Sequence, residues 1–284
     1  MKHPQISFAT AAGSSFGGAG EGSPCRANED WVGALPDAVV VLDGAGVPEG
    51  VDTGCVHGAA WYAAELGQRA VRRLGAHPEL GLADTLAAAI ADLAADHRLT
   101  CDLGHPGTPS ATVAMVRFRD SEVDYLVLSD ATVLLDDGHR VEAVCDQRNH
   151  AISPELSESS RRHVPGRPDH EQALRHSITV VREHRNRPGG FWIASADPAA
   201  AHHAFTGSRP RSALRRVALL TDGVTRLVEM FGVAGWPDLL DIAEHIGPRA
   251  LLEKVRTWEN RDREAARWPR TKIHDDATAV LCLP

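Results

Sequence analysis

Residues 110–145 read SATVAMVRFRDSEVDYLVLSDATVLLDDGHRVEAVC. Within them, four apolar runs rich in Val and Leu follow one another: SATVAMVRF (110–118), DYLVLSD (124–130), TVLLDDG (132–138) and VEAVC (141–145). The gaps between them are too short for a helix, and Asp137-Gly138 is a hairpin dipeptide, so consecutive antiparallel strands are expected. Working outward, ISFATAA (5–11), WIAS (192–195), RRVALLT (215–221) and ATAVLCL (277–283) are further strand candidates. AVVVL (38–42) is β-branched and free of charge, as expected of a strand buried on both faces. From about Gly54 to Leu74 the spacing turns helical, with Val56, Ala59, Ala60, Ala63, Leu66, Ala70 and Leu74 on one side. Helices are also expected over 82–99, 169–183, 224–231, 236–246 and 248–267. Strands and helices come in blocks without regular βαβ alternation, which implies an α+β sandwich and not a doubly wound parallel sheet.

The chain has 284 residues, enough for one layered unit with a sizeable core. Its formal charge of -8, from 38 acidic and 30 basic residues, excludes the broad positive surface that phosphate-backbone binding needs, so no nucleic-acid partner is expected. No stretch approaches the roughly 18–20 apolar residues that span a bilayer, and the first residues lack the apolar run of a secretory signal. No membrane partner is expected, and the expected location is the cytosol. Cys25, Cys55, Cys101, Cys145 and Cys282 are scattered without a C-x-x-C pair and read as reduced thiols, not as a disulfide framework or a zinc site.

The chemistry-bearing residues are carboxylates at strand ends. NED stands at 28–30, VLDG at 41–44, LTDGV at 220–224 and DDAT at 275–278. Any one Asp-Gly is most simply a turn. Brought together, Glu29, Asp30, Asp43, Asp222 and Asp275 would concentrate more negative charge than a site tolerates without hard divalent cations, which take oxygen ligands. Two such ions sharing a carboxylate would make water nucleophilic near neutral pH for attack on phosphorus.

In this order and spacing, together with PSATVAMV (109–116) and LSDATVLL (128–135), these segments resemble the motifs of the metal-dependent protein phosphatases of the protein phosphatase 2C type, bacterial-like members included. The resemblance runs from about residue 6 to 284. It implies a two-sheet antiparallel β-sandwich flanked by helix pairs (α-β-β-α layers), in a single domain over 1–284 with a flap-like insertion around 146–190. It also implies two Mg2+ or Mn2+ ions. Asp43 would bridge them, with the Gly44 carbonyl and Glu29 on one ion and Asp222 and Asp275 on the other. Asp30 would hydrogen-bond a water of the site, and Asp130 would help Asp222 hold a third ion. The implied activity is a protein serine/threonine phosphatase.

Three positions depart from the family pattern. Cys25 stands where many members carry a phosphate-binding arginine, with Arg26 one residue closer to the acidic pair; Arg26 is therefore the candidate for that role. Ala45 follows Asp43-Gly44 in place of the histidine of some members, and Ala131-Thr132 replaces the serine and arginine after Asp130. The basic segment 161–187 offers Arg162, Arg167 and Arg185 for recruiting a phosphorylated substrate, against a plain solvated insertion. His202-His203 and His274 stand at no zinc spacing and read as surface residues. The expected partner is a phosphorylated protein. The rivals are a phosphatase of a small phosphorylated metabolite and a catalytically silent regulatory module on the same fold.

Overall fold

A computed structural model describes residues 3–13, 27–48, 50–152, 163–165 and 167–284. Among these described residues, ten strands form two antiparallel sheets. One sheet has the order β1-β10-β9-β6-β7, built from β1 (Gln5–Ala11), β6 (Thr132–Asp136), β7 (Val141–Cys145), β9 (Arg216–Leu220) and β10 (Ala277–Leu283). The other has the order β2-β3-β4-β5-β8, built from β2 (Asp30–Leu35), β3 (Ala38–Gly44), β4 (Ala111–Phe118), β5 (Glu122–Leu128) and β8 (Phe205–Pro210).

The alternation of side chains along a strand explains the layers. On β3, Val39 and Val41 face the other sheet and join Val116, Val127, Val133, Leu219 and Val280 in the inter-sheet core. Val40 and Leu42 point the other way, onto α1 (Ala59–Ala76) and α2 (Leu82–His97), where they meet Tyr62, Leu66, Leu86 and Ile90. The β1-β10-β9-β6-β7 sheet turns Leu134, Ala218, Leu220 and Leu281 outward against α4 (Asp222–Glu229), α5 (Trp236–His245) and α6 (Pro248–Asn260). These are the expected α-β-β-α layers. A further helix, α3 (Pro168–Glu183), lies in the basic segment. None of the helices among the described residues is long and apolar enough to cross a membrane.

The structure differs from the sequence reading in several places. β2 and β8 were not foreseen. WIAS is not a strand; Ala194 makes only an isolated bridge to Ala111. Val56 lies ahead of α1 and is exposed, and α6 stops at Asn260 instead of continuing to 267. The four described cysteines are free thiols, as expected, but Cys55 and Cys101 are not scattered: they converge with His57 and His97. Cys25 lies outside the described residues. His203 stacks on Trp192, and His202 lies near Asp84, in keeping with their surface reading.

Candidate metal centre

Pairing register brings the strand-end carboxylates to one end of the sandwich. Asp30 pairs directly with Asp43 across β2 and β3. Asp222 opens α4 just past the end of β9, and Asp275 precedes β10, whose Ala279 pairs with Leu220. Asp130 sits in the tight β5–β6 turn, which forces Ser129 into the left-handed region at φ 64°. Asp43, Gly44, Asp130, Asp222 and Asp275 line one cleft of about 300 Å³. Glu29 and Asp30 are buried behind it.

Polar bonds weld the two sheets at this end. Thr221 Oγ1 donates to Asp30 Oδ2 at 2.9 Å and accepts the Thr278 N–H at 2.9 Å. The Asp276 carboxylate accepts the N–H groups of Gly13 (2.7 Å) and Glu29 (3.2 Å), fixing the NED segment to the start of β10. Gly223 has to be glycine: a Cβ there would lie 1.9 Å from the Asp276 carbonyl oxygen.

Burial sets the charge state of the cluster. It raises Asp30 to about 8 and Asp222 to about 7, with neighbouring carboxylates adding to the effect. Asp43 is raised well above the usual range by burial and then by Asp30, Asp222 and Asp275. Asp275 goes the other way: although buried, it is held low by Lys272 and Arg226. Lys272 Nζ lies 2.7 Å from Asp275 Oδ1 and 3.8 Å from Glu29 Oε2. Arg226 donates to Asp275 Oδ2 and, at 3.0 Å, to Glu259 Oε1. Asp130 is also lowered against burial, by His150 and by Asn149, whose Nδ2 donates to Oδ2 at 2.6 Å.

The donor set fits hard divalent cations. It is made of oxygens alone, from rigid strand ends, and two carboxylates with raised pKa line the cleft, which is the signature of negative charge awaiting a cation. The six expected carboxylates all reach this end of the fold, while Lys272 and Arg226 supply part of the counter-charge from within the chain.

The cleft's other wall comes from α3. Arg182 and Arg185 reach the cleft beside Ile178, Val181, Phe191 and Ile193. Arg185 Nη1 donates to the Thr108 carbonyl at 2.7 Å, and burial lowers its pKa to about 10. Arg182 Nε and Nη2 and Arg185 Nε are buried without a hydrogen-bond partner among the described residues. Arg167 only precedes α3 and is not part of the cleft lining, while Arg26 and Arg162 lie outside the described residues. Sequence reasoning missed Lys272, Arg226, Asp276, Asn149 and Arg182. Two of these carried a signal: Lys272 stands three residues before Asp275, and Arg226 stands four after Asp222, one helical turn along α4.

The family model for protein phosphatase 2C matches residues 20–258. The chain belongs to the protein phosphatase 2C family. Among solved structures it is similar to the serine/threonine phosphatase Stp1 of Staphylococcus aureus, at 13% identity and a TM-score of 0.58, covering 99% of this chain and 95% of that one. PppA of Pseudomonas aeruginosa is similar at 16% identity and a TM-score of 0.54, with 99% and 97% covered. The catalytic domain of the serine/threonine phosphatase PstP, crystallised with 2 manganese ions, is similar at 14% identity and a TM-score of 0.53, with 99% and 98% covered. At these identities the likeness is one of fold. No curated protein matches the chain.

Proposed function

We propose that this chain is an Mg2+- or Mn2+-dependent phosphomonoester hydrolase acting on phosphoserine or phosphothreonine in proteins, as one domain with a flap-like insertion around 146–190. The observation that carries this reading is one cleft with carboxylates on its floor and, on its wall, two arginines with N–H groups that have no partner among the described residues. Asp43, the Gly44 carbonyl, Glu29, Asp222 and Asp275 would hold two ions, with Asp130 beside Asp222 for a third. When bound, such ions neutralise the phosphoryl oxygens and make water nucleophilic near neutral pH.

The chain's own groups do the rest. Asp30, anchored by Thr221 and paired with Asp43, would take a hydrogen bond from a water of the site. Arg182 and Arg185 would orient the phosphoryl group through charge-assisted hydrogen bonds. The apolar Ile178, Val181 and Phe191 would shed water from the ester side of the substrate.

One observation favours a silent module: the internal cations Lys272 and Arg226 already pair with Asp275. The small volume beneath α3 favours a small phosphorylated metabolite. The test is hydrolysis of p-nitrophenyl phosphate and a phosphothreonine peptide with manganese, magnesium or chelator, beside Asp222→Asn. Metal-dependent turnover that collapses in the variant supports the hydrolase, and the peptide-to-small-ester ratio chooses between protein and metabolite. No turnover and no manganese binding by calorimetry would establish the silent module instead.

A further inference from the structure

Away from the carboxylate cleft, two loops meet. Cys55 and His57 lie between β3 and α1; His97 ends α2, and Cys101 follows one helical turn later. Cys55 Sγ is 3.1 Å from His97 Nε2 and 3.7 Å from His57 Nδ1, and Cys101 Sγ is 3.4 Å from His57 Nδ1. The four ligand atoms all lie within 4.8 Å of one another. Zn–S bonds of about 2.3 Å and Zn–N bonds of about 2.0–2.1 Å at tetrahedral angles place neighbouring sulfur and nitrogen atoms about 3.6 Å apart. The three distances, 3.1, 3.4 and 3.7 Å, bracket that value.

We propose that Cys55, His57, His97 and Cys101 form a tetrahedral Cys2His2 site for a structural zinc ion. Two thiolates cancel the charge of the dication, and four protein ligands leave no open position for substrate, so the site is structural and not catalytic.

The surroundings match that chemistry. The N–H groups of His57 (3.3 Å) and Val56 (3.5 Å) donate to Cys55 Sγ and Cys101 Sγ respectively, as thiolate ligands require. The His57 ring stacks on Trp61 at 3.9 Å, and Trp61 also meets His97, which fixes both imidazoles. The Asp102 N–H donates to the Gly54 carbonyl at 2.8 Å, so the loops are already tied beside the site.

Its position gives it a purpose. The Asp52 carbonyl of the first loop accepts Arg182, and the Thr108 carbonyl of the second accepts Arg185. Zinc here would staple the rim that carries both cleft arginines. The assignment rests on the ligand geometry alone and stands whether or not the chain is a phosphatase.

The test uses the full chain, expressed with zinc, kept reduced and desalted, with metal measured by elemental analysis. About one zinc per chain should survive gel filtration. Cobalt exchanged into the protein should show a thiolate-to-metal charge-transfer band and the intense visible bands of a tetrahedral ion. Cys55→Ser and Cys101→Ser should each lose the zinc, while Asp43→Asn keeps it. If the cysteine variants fail to fold, alkylation of the wild-type protein decides: Cys55 and Cys101 should resist iodoacetamide until chelator is added. Absence of retained zinc and of the cobalt bands in reduced protein would overturn the proposal. So would a Cys55–Cys101 disulfide in freshly isolated protein, or zinc lost from Asp43→Asn but kept by the cysteine variants.

Discussion

Lys272 reaches into the carboxylate cluster with its ammonium group between Asp275 and Glu29, and its own pKa is raised by those charges despite burial. An incoming divalent ion has to compete with that ammonium for the same oxygens. Lys272→Met is therefore expected to lower the manganese Kd about tenfold or more, equivalent to about 1.4 kcal/mol. The same variant without metal should lose stability, by about 3–5 kcal/mol if it behaves as other broken buried ion pairs do. Calorimetric titration and urea unfolding read the two effects separately. An unchanged or weaker manganese affinity would mean that Lys272 organises the ligands instead of competing with the metal.

At the same scale, Arg182 lines the cleft, has Nε and Nη2 buried without partners among the described residues and makes one long bond, 3.3 Å, to the Asp52 carbonyl. Arg182→Ala should lower kcat/KM for a phosphopeptide about 10- to 100-fold, the worth of one charge-assisted hydrogen bond of about 1.5–3 kcal/mol. Manganese affinity should not move. A loss of metal binding in this variant would place the arginine in the scaffold and not against the substrate.

Among the elements, the β9–α4 turn is the least forgiving. Any side chain at Gly223 meets the Asp276 carbonyl, a backbone atom directly ahead of β10, so Gly223→Ala must push α4 away from β10. That moves Asp222 relative to Asp275. The expected result is a loss of about 1–3 kcal/mol in urea unfolding, as for other overpacked sites, with manganese binding weakened in the same variant. Retention of wild-type stability and metal affinity would show that the turn can relax.

Element by element, legibility in the sequence followed burial. β3, β4 and β10 are apolar runs buried on both faces and are plain in the sequence. β8 is an edge strand, alternately exposed and half-buried, with Gly207 and Pro210, so no apolar pattern marks it. β2 carries Gly33, which reads as a loop signal; the reason for it is tertiary, because the Trp31 ring lies against both Gly33 and Gly67 of α1. The strand-end carboxylates were legible because Asp-Gly pairs punctuate strands. The Lys272, Arg226 and Cys2His2 contacts were not, since each joins segments whose proximity only the folded chain creates.

Across the whole molecule, the cluster couples folding, metal and pH. Asp30 at about 8, Asp222 at about 7 and Asp43 above its usual range bind protons in the folded state that an unfolded chain, with aspartates near 3.8, has released. Between about pH 4 and 8 the metal-free folded state holds more protons than the unfolded one, so its stability falls as pH rises. The slope is about 1.4 kcal/mol per pH unit for each such proton. Asp275 and Asp130 act in the opposite sense: their lowered pKa values stabilise the fold above the usual carboxylate range and lose that contribution as pH falls below it. The metal-free protein should therefore be most stable at mildly acidic pH and weaken toward pH 8. Saturating manganese should flatten or reverse that fall, because the ions replace the protons. Thermal unfolding from pH 4 to 9, with chelator and with manganese, measures both curves. Calorimetry at pH 6 in two buffers of different ionisation enthalpy should show at least about one proton released per chain on binding. A metal-free protein whose stability rises steadily to pH 8, or manganese binding with no proton release, would mean that the cluster is already neutralised by Lys272 and Arg226 and not by protons.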